Sequence, residues 1–243
     1  MVLVNIDKIY KFPTQLNEIS LKQFIRINQL IKNGDFDEAI IYLLNIDIEI
    51  YFNIDNQGKL NLIELLTILM NGEIILEESN IDLYDLDSCP IGQFEDWKAT
   101  IIQYANKNEE LSIPFLCLLE KGDYDYYKRT NQRYLEFLEI PCSVALFYQN
   151  KVNQQFEELK SKFLPLFESD IEDMQIEAGA ESLNQFGGYG TLIQLANGIY
   201  KDIEQVSKTS VAEAYTFLSY KKIERQYIEN LEKLKREEFN RNI

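Results

Sequence analysis

The chain has 243 residues, 46% of them hydrophobic and 26% charged, which excludes wholesale disorder and leaves room for one large domain or two modest ones. Its 40 acidic residues against 24 basic ones give a formal net charge of −16, a field that repels phosphate backbones and anionic lipid. Histidine is absent, which removes the usual general base, the commonest zinc ligand and any Ser-His or Cys-His nucleophile pair; the expectation is a non-enzyme without a cofactor.

No stretch of about 18 apolar residues runs free of charge, so no membrane span is expected. The start "MVLVNIDKIY" lacks the basic-then-apolar order of a signal peptide, and a cytoplasmic protein is expected. Cys89, Cys117 and Cys142 are odd in number, dispersed, and set among apolar neighbours. They read as buried small hydrophobes rather than as a disulfide framework or a zinc site.

The Val-, Ile- and Tyr-rich opening, stopped by Pro13, predicts a strand or short hairpin. In "SLKQFIRINQLIKNG", Leu21, Phe24, Ile25, Ile27, Leu30 and Ile31 follow a 3.6-residue stripe, and Gly34 stands where a helix stops. Asp35 and Glu38 spell a capping box for a second helix, "DFDEAIIYLLN".

"NIDNQGKLNLIE", Asn53 to Glu64, comes close to the EF-hand pattern D-x-[DN]-x-[DN]-G-x5-E. The oxygens on offer are Asn53, Asp55, Gln57, the Lys59 carbonyl, Asn61 and Glu64. Only two of these are carboxylates, an ammonium sits among them, and no second loop is visible, whereas calcium needs six to eight oxygens and more negative charge. A polar turn in which Gly58 supplies positive φ is the preferred reading, with a calcium-binding protein as an alternative. A helix, "KLNLIELLTILMNG", follows and closes at Gly72.

Residues 73–90 read as a strand plus loop or an irregular crossing. Helical spacing returns with Phe94, Trp97, Ile101 and Tyr104 on one side. Two or three helices then follow, punctuated by Pro114, Gly122 and Pro141, with Pro114 and Pro141 expected at first helical positions. "GDYDYYKRTNQRYLEFLE" mixes aromatics with Lys128, Arg129 and Arg133. In so acidic a chain it reads as an amphipathic helix with its aromatics on the core rather than as a nucleic-acid surface. The acids of "DLYDLDS" and "ESDIEDM" read as solvated surface.

Residues 168–188 carry six acids and three glycines and are the linker candidate, dividing a helical domain over 1–167 from a C-terminal helical segment over 189–243. Phe186, Gly187, Gly188 and Gly190 in "FGGYGTLIQLA" fit neither a dinucleotide-binding pattern nor a P-loop and read as a hinge. A short helix and a long one follow, the latter with a capping box at Ser210 and Glu213. Tyr220, Ile223, Tyr227, Leu231 and Leu234 recur along the long helix in steps of three and four, a seam among charges. Such a seam either docks on another polypeptide or folds back on its own domain. No internal repeat at a solenoid period is apparent. The fold class is therefore mainly α: an irregular helical domain with a small N-terminal β element and a long amphipathic C-terminal helix.

The stretch from "FGGYGTLIQLANGIY" to "ENLEKLKRE" resembles the C-terminal segment of tailed-bacteriophage tail assembly chaperones and related morphogenesis proteins. The matching positions are Phe186, Gly187, Leu195, Ala196, Gly198, Val206, Ser207, Leu218 and Tyr220. "LNEISLKQFIRINQLI" and "DYYKRTNQRYLEFLEIPCSVALFY" also resemble parts of large-phage structural and assembly proteins, while the first two-thirds differ from the short chaperones. The resemblance implies a non-catalytic factor in the host cytoplasm that binds tail or other virion proteins, of tape-measure or tail-tube type, and no nucleic acid or membrane. It also allows a component retained in the virion, such as a connector, tail or internal particle protein.

Overall fold

The computed structural model describes residues 1–72, 79, 81–105, 109–167, 182 and 186–241. Most of the linker candidate at 168–188 and most of 73–80 lie outside the described residues. The protein is mainly α: among the described residues there are twelve α-helices and one two-stranded hairpin. The chain forms two compact units, each assembled from separate stretches: Met1–Leu83 with Ile101–Lys151, and Tyr84–Thr100 with Val152–Ile243. The division differs from the boundary expected at residue 167, because 84–100 and 152–167 join the C-terminal segment.

The first unit begins with β1 (Val2–Asn5) and β2 (Ile9–Phe12), antiparallel, with Val2 opposite Phe12 and Asn5 opposite Ile9. The two-residue period buries Tyr10 and Phe12 and leaves Leu3 and Ile9 exposed. α1 (Leu21–Lys32) buries Leu21, Phe24, Ile25, Ile27 and Leu30, and Ser20 and Gln23 close a reciprocal capping box. α2 (Phe36–Leu44) does not form the box expected of it. Asp35 makes no side-chain cap bond, and Glu38 instead accepts from Arg26 of α1 at 2.7 Å. α3 (Ile48–Phe52) and α4 (Asn56–Met70) complete the first helical group, and the buried Tyr51 donates its hydroxyl to Asp37 at 2.6 Å.

Pro114 is not a first helical residue. It lies inside a 3-10 run, Glu109–Leu119, in which Ile113 and Phe115 to Leu119 are all buried, a pattern without the exposed face that a surface α-helix keeps. The segment expected as one amphipathic helix is α6 (Tyr126–Lys128), a π-turn Arg129–Arg133 and α7 (Tyr134–Leu138). Phe137 is buried, but Tyr127 faces solvent and Arg129 faces inward. The Arg129 guanidinium donates to the carbonyls of Cys117 (2.9 Å), Glu120 (2.6 Å), Lys121 (3.4 Å) and Asp123 (3.0 Å), which holds the turn after the 3-10 run. Arg133 takes the Glu120 carboxylate with two nitrogens, at 2.7 and 2.5 Å.

α5 (Ile91–Ala105) and α8 (Cys142–Lys162) each give residues to both units. The second unit also holds α9 (Leu164–Phe167), α10 (Gly187–Leu195), α11 (Ile203–Ser207) and α12 (Val211–Arg241). Its interior is aromatic. Phe94 lies 5.7 Å from Trp97, 6.2 Å from Phe156 and 6.1 Å from Tyr215, ring centre to ring centre, and Phe163 and Phe167 lie 5.6 and 5.8 Å from Tyr215.

Both units contain the same local device. In the first, Leu21 N donates to Ile140 O and Cys142 N to Ile19 O, each at 2.9 Å, across the bridge Ser20–Pro141. In the second, Ile91 N donates to Thr209 O at 2.8 Å and Val211 N to Cys89 O at 2.9 Å, across Pro90–Ser210. Each bond satisfies the first amide of a helix, a donor with no partner inside its own helix. The sequences repeat with it: Leu16, Gln23 and Phe24 in "LNEISLKQF" correspond to Leu86, Gln93 and Phe94 in "LDSCPIGQF". Pro141 therefore precedes α8 as half of a bridge and is not its first residue. The repetition is invisible at a solenoid period because its two copies, Leu16 and Leu86 for one, lie about 70 residues apart, beyond the span of such repeats.

Candidate protein-binding surface

α12 is fixed at one end. Ser210 Oγ accepts from Glu213 N at 3.3 Å and the Glu213 carboxylate accepts from Ser210 N at 3.4 Å, the capping box read from sequence. Val211, Ala214 and Tyr215 are buried, with Tyr215 in the aromatic cluster. Lys222 donates to the Pro165 carbonyl. Beyond this root nothing among the described residues covers the helix: every residue from Arg225 to Asn240 is exposed, a length of about 24 Å at 1.5 Å per residue.

The five seam residues all lie on this helix, and all are exposed: Tyr220 by 58%, Ile223 by 59%, Tyr227 by 65%, Leu231 by 37% and Leu234 by 62%. Two more apolar side chains, which the three-and-four spacing passed over, stand beside them: Ile228 and Phe239, 49% and 66% exposed. With them the apolar sector spans roughly 160° of the helix at 100° per residue, wider than a coiled-coil seam. A helical projection of the sequence finds both. From Lys221 onward there are seven basic and five acidic residues, a mildly positive segment on a strongly acidic chain. Its charges pair along the helix, Lys221 with Glu224 at 2.9 Å and Arg236 with Glu232 at 3.7 Å. The hydrogen bond between Lys221 and Glu224 raises the lysine pKa and lowers that of the glutamate, which Tyr220 also donates to.

The glycine-rich hinge is mostly helix. Gly187 has φ +47°, a left-handed backbone that suits glycine, but Gly188 and Gly190 lie inside α10, with Phe186 just before it. A Cβ on Gly188 would meet the Glu95 Cβ at 2.7 Å, so the missing side chain allows α10 to pack closely on Glu95. Glu95 is itself buried, held by Lys98 at 2.7 Å.

The calcium-like stretch is also helix. Asp55 caps α4, accepting from Gly58 N at 2.6 Å, and Gly58 is a helical residue without positive φ. Its lack of a Cβ matters for a different reason than the expected turn: one would lie 2.6 Å from Ile54 Cγ2. Gln57 donates to Asn61 at 3.0 Å, one helical turn on, and the Lys59 ammonium lies 5.2 Å from both the Tyr51 and Phe52 rings. Asn53 ends α3 and Glu64 is exposed on α4. The six residues thus lie along a capped helix and do not wrap a common centre. Among the described residues no group of three or more His, Cys, Asp or Glu could hold a metal ion.

The chain matches no protein-family model, no curated protein and no solved structure. Among the described residues no helix is long and apolar enough to cross a membrane. The three cysteines are buried thiols, small residues of the core. Among the described residues the bare half of α12 is the longest continuously exposed stretch of helix, and it carries five large apolar side chains.

Proposed function

We propose that this chain is a non-catalytic factor of phage tail morphogenesis, akin to a tail assembly chaperone, that binds another tail polypeptide through α12. The observation that carries the reading is the uncovered apolar sector of a helix whose root is locked by an aromatic cluster. An exposed amphipathic helix fits recognition by helix-on-helix packing, with anchors one turn apart. The resemblance of residues 186–237 to tail assembly chaperones supplies the class of partner: apolar helical stretches of a tape-measure type protein, with tail-tube subunits recruited to them.

The test is co-expression of the full chain with such a helical tail segment. Co-purification is expected for the natural sequence, with loss when Ile223, Tyr227 and Leu234 are changed together to Ser. Because these side chains touch little else, the unfolding free energy should change by no more than about 0.5 kcal/mol per site. Retained capture by the triple variant would overturn the role of α12. Mass spectrometry of purified particles separates a chaperone, absent from them, from a virion component present in stoichiometric amount.

A further inference from the structure

We infer that the bare half of α12 pairs with the same segment of a second copy of this chain, antiparallel, about a two-fold axis between Glu229 and Asn230. One strip of the helix, within roughly a 100° sector at 100° per residue, carries Tyr220, Lys221, Glu224, Ile228, Leu231, Lys235, Glu238 and Phe239. Read from its two ends toward the middle, this strip is a palindrome in which apolar matches apolar and each charge meets its opposite. Tyr220 comes level with Phe239 of the other copy and Lys221 with Glu238, each pair reaching across the strip from opposite edges, while Glu224 faces Lys235 and Ile228 faces Leu231 near its middle. Two-fold symmetry makes every such contact occur twice.

The four apolar members of the strip are exposed, and no element among the described residues covers them. The Lys221–Glu224 ion pair already lines the strip and extends into a network when Glu238 and Lys235 approach. A parallel pairing would set Lys221 on Lys221, Glu224 on Glu224 and Lys235 on Lys235, and would bring two chains of charge −16 side by side. The antiparallel pairing places the mildly positive end of each helix beside the acidic remainder of its partner. It also leaves Ile223, Tyr227 and Leu234 of both copies on one side of the pair, because the two-fold axis preserves that direction. The inference rests on the exposed helix and its charge order, and not on the phage reading.

The experiment is sedimentation equilibrium of the full chain over a range of concentrations at low salt. A monomer–dimer equilibrium is expected. Lys221→Glu and Glu238→Lys should each raise the dissociation constant about tenfold, since each change turns two attractions into repulsions, and the double variant should restore it. A chain that stays monomeric, or a double variant as weak as either single one, overturns the proposal. Circular dichroism of each variant confirms that the exposed helix is retained. Register is read by thiol crosslinking: an equal mixture of the Ile228→Cys and Leu231→Cys proteins should crosslink faster than either alone. Equal rates would overturn the antiparallel register. Loss of dimer with client capture intact would leave the proposed function standing, and the reverse result would leave the dimer standing.

Discussion

Gly188 and Glu95 approach so closely that a Cβ on the glycine would sit 2.7 Å from the glutamate Cβ and 2.8 Å from Oε2. The contact joins α10 to α5 at a carboxylate that is already buried and paired with Lys98. Gly188→Ala should therefore destabilise the protein by about 1–3 kcal/mol, the usual range for overpacking a tight contact. Gly190→Ala meets only the Phe186 Cβ at 3.8 Å and should be neutral or slightly stabilising, because alanine favours helix. Urea melts of the two variants check the contrast. Equal stabilities would show that the Gly188 contact yields to a methyl group at no cost.

Arg129 is a second place where a local sequence pattern conceals a non-local role. All four partners given above are main-chain carbonyls, between Cys117 and Asp123. Arg129→Met keeps the aliphatic bulk but leaves those carbonyls without their donor, and should cost about 3 kcal/mol. Arg129→Lys should recover little of that, since one ammonium cannot span the positions that a planar guanidinium reaches. Thermal unfolding of both variants measures the difference. A stable Arg129→Lys protein would show that charge rather than fork geometry holds the turn.

The sequence makes plain whatever depends on neighbours in the chain. The stripe of α1, the hairpin, the Ser210–Glu213 cap and the length of α12 all follow from residues within a few positions of one another. The failures involve distant partners. Glu38 leaves the expected box at Asp35 because Arg26, on the preceding helix, offers a full charge. Pro141 belongs to a bridge with Ser20, and Arg129 answers to carbonyls of an earlier segment; nothing local signals either. The Asn-Gln-Gly run suggests positive φ at Gly58, whereas its helix begins two residues earlier and needs the glycine only for room against Ile54. For the surface, three-and-four spacing picked out Tyr220, Ile223, Tyr227, Leu231 and Leu234 but missed Ile228 and Phe239, which flank the seam.

The buried thiols set a limit on alkaline stability. Burial pushes Cys142 up to about 12, and burial with the nearby Glu120 charge pushes Cys117 up to about 12, both from an ordinary value of 9.0. Between those values the unfolded chain releases thiol protons that the folded chain keeps, so stability is present in full below pH 9 and falls as pH rises toward 12. Each group lowers stability by up to about 1.4 kcal/mol per pH unit in that window. Urea midpoints should hold steady to pH 8 and drop above pH 9. The Cys117→Ala, Cys142→Ala double variant should show a shallower slope between pH 9 and 10, before tyrosines contribute. An unchanged slope would assign the loss to other groups.

Calcium provides the last test, through Asp55. A ligand that binds only the folded state raises the melting temperature with concentration, and millimolar ion over a sensor-range site would contribute several kcal/mol. Here Asp55 is committed to the Gly58 amide, the Lys59 carbonyl falls within a helix, and Gln57 and Asn61 bond to each other. Recruiting these oxygens would require unwinding the first turns of α4, with the loss of its cap and of the contacts that bury Leu62. The melting temperature should therefore be the same in millimolar calcium and in chelator. Asp55→Ala should lower it in both alike, through loss of the roughly 1 kcal/mol of stability that an N-cap contributes. A rise with calcium that Asp55→Ala or Glu64→Gln abolishes would mean that the helix start converts into a loop around the ion.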